Sequence, residues 1–324
     1  MAQEPGDKTY VCKLDQKSKE VAKIELKELN DKDREIAVQT LRQWVLDQPW
    51  LKSPTDFEFL LRFLRVRKFS QLEARKSLEN YWTSKTLHPK WFLNVDPADE
   101  GVLAFLKSGV MYSPKKYDKF GRRVVIFPAG KVDGTLLKKY GVDTLYKYIL
   151  CVMDWLATDE YVQVNGVASF YDHTDIDYLL LTKLWTPSIA KDYMHFFQKA
   201  VPIRHKTFAV YNESSFLDVM LSISRPFMTE KVQKRIKTYG KSLVNLYNDW
   251  GKESLTLEYL PDDYTGPCLG NKDEVIDEMM KEMLDPKFRD YIKDISCGKY
   301  GVDTNLRKMD TDEPAASFRK LNVD

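Results

Sequence analysis

The chain has 324 residues, is 43% hydrophobic and 30% charged, and carries a formal net charge of only +2. That length fits one large domain or two coupled ones, the balance argues against disorder over most of the chain, and the bulk charge points to no polyanion such as nucleic acid. The four cysteines, Cys12, Cys151, Cys268 and Cys297, show no C-x-x-C spacing. They are expected as free thiols in a reducing cytosol, with neither a zinc site nor a redox pair.

Residues 1–30 are rich in Lys, Glu and Asp. They are expected as a flexible arm ending in a helix, and their start reads as no secretory leader. Residues 31–100 are expected as a helical bundle. Ile36, Leu41, Trp44 and Val45 mark one apolar stripe, Phe57, Leu60, Leu61 and Leu64 a second, and Leu72, Ala74, Leu78 and Trp82 a third. Arg62, Arg65 and Arg67 take the remaining directions of the second helix.

From about 101 the period changes. Asp118 to Arg123 is a turn signal that leads into the β-branched run 124–127, ended by Pro128. A helix is expected over 141–158, and strands over 164–171 and 206–211. A further helix opens at Pro187 with Thr186 as N-cap and stops before Pro202. Strand, helix and strand form a βαβ unit, so part of the sheet is expected to be parallel. Residues 255–259 are expected as one more strand, and 271–324 as a charged helix with a polar tail. The longest apolar neighbourhood, 149–157, is broken by Asp154, so no segment is expected to span a bilayer. The fold class read from this order is α/β: an N-terminal helical bundle, then a mixed, partly parallel sheet covered by helices over 101–270.

Charge is concentrated in one place. Residues 199–237 hold eight Lys and Arg against three Asp and Glu, a local excess of +5. Within that segment Phe216, Val219, Met220 and Ile223 recur at i, i+3, i+4 and i+7, one face of an amphipathic helix ended by Arg225-Pro226. Lys231 and Arg235 then stand four apart, and like charges in that relation repel mildly. Arg204 and Lys206 enter a strand nearby. On pattern alone the stripe is either plain core packing, with the lysines a solvated face, or a docking element for anionic lipid headgroups.

Large side chains offer a second pattern. Phe170, Tyr171, Trp185, Tyr193, Phe196, Phe197, Phe208 and Phe216 fall on elements that converge on one sheet face, where they form either solid core or the lining of an apolar cavity. Motifs of catalysis are missing: no G-x-S-x-G, no G-x-x-x-x-G-K-[ST], no G-x-G-x-x-G and no H-E-x-x-H. Residues 172–177, Asp-His-Thr-Asp-Ile-Asp, read as a polar turn after a strand rather than a metal site. No enzyme is expected.

Several segments resemble one family in collinear order. Leu60-Leu61-Arg62-Phe63-Leu64-Arg65-Val66-Arg67-Lys68-Phe69 resembles the L-L-R-F-L-R-A-R-K-F helix preceding CRAL-TRIO domains. Asp118 to Arg123 resembles the D-x-x-G-R-x entry turn, and Thr186-Pro187-Ser188-Ile189-Ala190-Lys191 resembles T-P-S-x-A-K. Arg225-Pro226-Phe227-Met228-Thr229-Glu230-Lys231 resembles K-P-F-L-T-E-K, and Leu260 to Gly266 resembles L-P-x-E-Y-G-G. The chain is thus similar to the CRAL-TRIO (Sec-fourteen-like) family, in particular the group of the α-tocopherol transfer protein, cellular retinaldehyde-binding protein and clavesins.

The resemblance implies a non-enzymatic carrier with a lipid pocket under a helical lid over about 214–236, and no cofactor beyond the bound lipid. The implied pocket positions are Tyr146, Ile149, Met153, Tyr171, Trp185 and Ile189, followed by Tyr193, Phe196, Phe197, Val201, Phe208 and Val210. The implied lid residues are Phe216, Val219, Met220, Ile223, Phe227 and Met228. A phosphoinositide headgroup site falls on Arg204, Lys206, Lys231 and Arg235. Partners implied are a hydrophobic lipid and a phosphoinositide-bearing membrane, with cytoplasmic location and peripheral attachment to endosomal or similar membranes. The implied ligand is tocopherol, a retinoid or a carotenoid-like lipid. The pocket helix carries Tyr146, Ile149 and Met153 along a wall where the tocopherol carrier has hydroxyl-bearing serines in part, so an extended apolar guest such as a retinoid or carotenoid fits at least as well as tocopherol. An adaptor that holds lipid as filler and recruits protein partners is the alternative.

Overall fold

A computed structural model describes residues 10–213 and 215–307. Asp15 accepts a hydrogen bond from the Ser18 amide (2.7 Å) and caps α1 (Gln16–Val21). A π-helical turn, Ala22–Leu26, extends α1 until Lys27 turns the chain at φ 65°. The arm expected to be loose is therefore folded from Tyr10 onward. The reason is that its few apolar residues are grouped: Leu14, Ala22 and Leu26 bury together against Val164. Just beyond them Glu28 pairs with Arg65 (2.9 Å) and Arg34 (2.5 Å).

The bundle follows as α2 (Asp31–Leu46), strand β1 (Leu51–Lys52), α3 (Phe57–Val66) and α4 (Gln71–Leu87). Asn30, Asp56 and Ser70 cap the three helices through side-chain oxygens. Short α5 (Pro89–Phe92) and α6 (Glu100–Ser108) lead to the turn at Asp118. There the carboxylate accepts from the amides of Phe120 (2.9 Å) and Arg122 (2.8 Å), and Gly121 closes the turn at φ 76°.

The second half alternates strand and helix. Strand β2 (Arg123–Pro128) is followed by α7 (Gly134–Tyr140), α8 (Val142–Ala157) and α9 (Glu160–Asn165), then β3 (Val167–Asp172). Next come α10 (Tyr178–Leu184), α11 (Pro187–His195), a π-helical turn (Phe196–Ala200) and β4 (His205–Tyr211). Helices α12 (Ser215–Ser224) and α13 (Glu230–Gln233) precede β5 (Ile236–Thr238). The strands pair β2-β3-β4-β5, parallel throughout, so the helices between them serve as crossovers. Among the described residues, antiparallel pairing is confined to a small sheet in which β1 pairs with a strand at Gly301–Val302 and to isolated bridges at Tyr112 and Tyr117. After β5 come α14 (Val244–Trp250), α15 (Lys272–Met283), α16 (Pro286–Ser296) and β6 (Gly301–Val302).

Three expectations are corrected. The strand expected from 164 starts at Val167, because Asp159 caps α9 and Gly166, at φ 86°, ends it. Residues 255–259 form a tight turn at Leu257–Tyr259 instead of a strand. The C-terminal region is two helices, since Asp285 and Pro286 start a new one, and both bury apolar faces. Residues 308–324, which include the expected polar tail, lie outside the described residues.

The two halves share one core. Phe196 packs between Tyr81 of α4 (6.0 Å) and Phe92 of α5 (4.9 Å). Asp154, which interrupts the apolar run of α8, is buried and accepts from Lys85 Nζ (2.7 Å) and the Tyr81 hydroxyl (2.7 Å). This ion pair fixes the bundle to α8. Removing one member leaves a buried charge without its counterion, which costs about 3 kcal/mol or more, whereas removing both is far milder. Lys85→Met is expected to lower the thermal unfolding midpoint sharply, and the double substitution Lys85→Met/Asp154→Leu to recover most of the loss.

Candidate functional site

Strand alternation decides what each face of the sheet presents. On β3, Phe170 points to the side of Trp250 (6.4 Å) and Tyr259 (4.7 Å), where it is fully buried. Its neighbour Tyr171 faces the other way. It stands in register with Phe127 of β2 and Val210 of β4, and its ring stacks on Phe127 at 4.6 Å. This row, with Phe208 and Ile236, is the floor of an interior cavity of about 230 Å³.

Helices build the walls. Tyr146 and Ile149 come from the first half of α8, Trp185 from the end of α10, and Tyr193 and Phe197 from α11 and its π-helical extension. Of the expected pocket residues, Tyr146, Ile149, Tyr171, Trp185, Tyr193, Phe197, Phe208 and Val210 line the cavity. Met153, Ile189, Phe196 and Val201 do not. Met153 lies a turn beyond the cavity in solid core, and Phe196 faces the bundle because the π-helical turn aims Phe197, not its predecessor, at the cavity. Ile189 is only partly buried, and Val201 is packed at the end of that turn.

Helix α12 covers the cavity with Leu217, Met220, Leu221 and Ser224, and Met228 follows from the next loop. This is the expected i, i+3, i+4, i+7 pattern displaced by one residue, a rotation of about 100° on a helix. Met220 and Met228 are shared with the expected lid face. Val219, Ile223 and Phe227 do not line the cavity, and Val219 is 45% exposed. Ser214 and the side chain of Phe216 lie outside the described residues. The helix is apolar on more than one side, which is why periodicity alone did not choose its inner face. On α10 Leu179 likewise stands out, 76% exposed, while Leu181 and Leu184 line the cavity.

The cavity is chemically quiet. No carboxylate, lysine or arginine lines it. The Tyr146 hydroxyl donates to the Leu184 carbonyl (3.1 Å). Trp185 Nε1 donates to Ser224 Oγ (2.9 Å), which donates to the Met220 carbonyl (2.7 Å). That chain latches the cover helix to the wall. Burial pushes the phenols of Tyr146, Tyr171 and Tyr193 above their ordinary range and lowers His173, so the lining is neutral at pH 7. Gln198 holds the other end of the cover: its amide donates to the Phe227 carbonyl (2.9 Å) and accepts from the Thr229 amide (2.7 Å).

The four expected headgroup cations do come together. The ammonium of Lys231 is lowered by burial and by the charges of Arg235, Lys68, Arg204 and Arg67, so all five share one neighbourhood. Arg235 donates to the His205 carbonyl, and Arg67 to the carbonyls of Gln198 (3.3 Å) and Lys199 (2.9 Å). His205 sits between, stacked on Phe197 at 3.8 Å, and burial with Arg235 and Arg67 brings its pKa down to about 3. Arg204 and Lys206 both reach one carboxylate, Glu25 of the arm, at 2.7 and 2.9 Å. Burial opposes ionisation of Glu25, but the hydrogen bonds from both cations outweigh it and bring its pKa down to about 2. Lys206 itself stays below its ordinary value, through burial and Arg204, because one carboxylate is shared between two cations. Among the described residues no carboxylate bridges Lys231, Arg235 or Arg67.

Residues 106–265 match the model of the CRAL/TRIO domain, and residues 30–102 that of a Pinta-like UBA domain. The chain belongs to the CRAL/TRIO family. This is a family of proteins that bind and transfer hydrophobic lipids. Human Clavesin-2 is 28% identical over 250 residues, covering 76% of this chain and 73% of that protein. Clavesin-1 of Xenopus laevis is 30% identical over 213 residues, 65% of this chain and 62% of that protein. Among solved structures, the crystal structure of Sfh5 covers 79% of this chain and 91% of that one, at 14% identity and a TM-score of 0.49. Among the described residues of this CRAL/TRIO protein, no helix is long and apolar enough to cross a membrane.

Gly166 lets the start of β4 approach this closely. A Cβ there would lie 2.3 Å from the Arg204 carbonyl oxygen and 2.9 Å from Lys206 Cγ, at a left-handed φ of 86°. Gly166→Ala is expected to cost about 2 kcal/mol in chemical denaturation and to shift the backbone amide resonances of residues 204–206.

Proposed function

We propose that this protein carries one extended hydrophobic lipid of the isoprenoid type, such as a retinoid or carotenoid, and exchanges it at phosphoinositide-bearing membranes. The observation that carries the reading is the apolar cavity of about 230 Å³, with no charged side chain in its lining, beneath a helix that is apolar outside as well as inside. An apolar guest needs few polar partners, and burying about 400 Å² of its surface would contribute roughly 10 kcal/mol gross at about 25 cal/mol per Å².

Release follows from the same geometry. Val219 on α12 and Leu179 on α10 are exposed on helices that line the cavity, and Lys231 and Arg235 each precede a lining residue, Val232 and Ile236. A membrane that takes up the two apolar side chains and the cations binds the opened state better than the closed one, which is the condition for a population shift. The interactions that hold the cover are few: the Trp185–Ser224 latch and the Gln198 clamp. This reading implies peripheral attachment to endosomal or similar membranes.

Native mass spectrometry of the purified protein, with solvent extraction of what it carries, is the first test. One apolar lipid near a one-to-one ratio is expected. A protein that is empty, and stays empty when offered lipid vesicles, would overturn the carrier reading and favour an adaptor. Val210→Trp, which fills the cavity floor, is expected to abolish loading while leaving the fold intact by circular dichroism. Lys231→Ala/Arg235→Ala is expected to weaken vesicle docking by about 2 kcal/mol, roughly 30-fold, and to slow transfer, with lipid affinity in solution unchanged. Equal transfer rates for this variant and the parent would sink the docking step.

A further inference from the structure

Two of the four cations proposed to take a headgroup already have a partner. Glu25 Oε2 lies 2.7 Å from Arg204 Nη2 and 2.9 Å from Lys206 Nζ, while among the described residues no carboxylate pairs with Lys231 or with Arg235, which donates only to the His205 carbonyl. The carboxylate is not there by the chance swing of a loose tail. Leu26, next to it, is fully buried, and Ala22, one turn back, is nearly so. Glu28, three residues on, is locked to Arg65 and Arg34, and Ser18 accepts from Asn165 Nδ2 (3.0 Å) at the end of α9. The arm is fixed on both sides of Glu25, and only the carboxylate's own side chain, 43% exposed, is free to move.

We infer that Glu25 is a built-in competitor for the headgroup site: it holds Arg204 and Lys206 at rest, and docking requires a lipid headgroup that displaces it. This rests on the docking reading above and adds to it what occupies the site at rest. A tethered carboxylate acts at an effective concentration in the millimolar range. A lipid bearing a single negative charge offers Arg204 and Lys206 no more than Glu25 already does, so it meets only the open half at Lys231 and Arg235. A phosphomonoester carries between one and a half and two negative charges and three acceptor oxygens, enough to serve both cations and release the carboxylate. The site therefore admits a phosphorylated inositol headgroup and turns away phosphatidylserine. The carboxyl pKa of about 2 keeps Glu25 ionised at any physiological pH, so competition, not acidification, is what removes it.

The test is co-sedimentation of the full chain with phosphatidylcholine vesicles carrying either a bisphosphorylated phosphatidylinositol or phosphatidylserine. Glu25→Gln keeps the shape of the side chain and removes its charge. Glu20→Gln, on α1 of the same arm, makes the same change in net charge away from Arg204 and Lys206 and serves as the control. Glu25→Gln is expected to raise partition onto the phosphoinositide vesicles roughly five- to ten-fold, with a smaller gain on phosphatidylserine and little change for Glu20→Gln. Should Glu25→Gln match Glu20→Gln on both vesicles while Lys231→Ala/Arg235→Ala still loses binding, docking stands and the competitor role of Glu25 falls. Should the parent and every variant ignore both vesicles, the docking reading falls and takes this inference with it.

Discussion

The guanidinium of Arg65 is where the parts of this molecule are joined. Its side chain is fully buried and meets Glu28 of the arm at 2.9 Å, Glu160 and Gln163 of α9 at 3.0 and 2.9 Å, and the Tyr10 hydroxyl at 3.0 Å. Burial by itself lowers the pKa of the guanidinium, but the carboxylates, Glu28 foremost, outweigh it and raise it above its ordinary value. A buried charge is tolerated only where its partners are complete, and losing one member of such a set costs several kcal/mol. The arm, the bundle helix α3 and the helix leading into β3 are thereby held to one another at a single point. Since Gly166 and β3 follow α9 directly, the same junction sets where Arg204 and Lys206 emerge and where Glu25 meets them.

Beyond that junction, a parallel sheet buried on both faces does the rest. Its inner row, Phe127, Tyr171 and Val210, is in register across three strands and gives a continuous apolar floor. Its outer face is closed by Trp250 and Tyr259 against Phe170. Its two central strands, β3 and β4, are tied by ladders on both sides, whereas the side-chain hydrogen bonds that hold α12 and the loop after it are the Trp185–Ser224 latch and the Gln198 clamp.

Much of this was legible in the chain because local rules and the global arrangement agree. The runs 124–127 and 208–211 are apolar without interruption, as strands buried on both faces must be, and both lie in strands. Thr186 and Pro187 open α11 as expected, with Thr186 Oγ1 accepting from the Ile189 amide at 3.4 Å. The cationic excess over 199–237 was readable from the sequence, whereas the set Arg204, Lys206, Lys231 and Arg235 came from the family resemblance. Less was legible where a single pattern admits two faces. On α12 almost every non-polar position is large, so the choice between the stripe at Val219 and Ile223 and the stripe at Leu217 and Leu221 is made by what lies underneath. At Phe196 and Phe197 a π-helical turn, which no residue type announces, decides which ring sees the cavity. Helix α10 and strand β5 are short, and short segments leave no period to read.

The sequence by itself determined the two-part α/β order, three of the four strands of the main sheet and a parallel connection between two of them, the apolar character of the interior and the cationic segment after residue 199. These follow from periodicity, caps and composition, which act within a few residues of one another. Tertiary structure alone decided which apolar side chains surround empty space and which are packed solid, because a cavity is the absence of a neighbour and no residue encodes it. It also decided that an arm rich in Lys and Glu is folded, through the burial of Leu26 and the pairing of Glu28, and that Glu25 rests on Arg204 and Lys206. That contact joins residues some 180 positions apart, and only the folding of the chain around Arg65 brings them together.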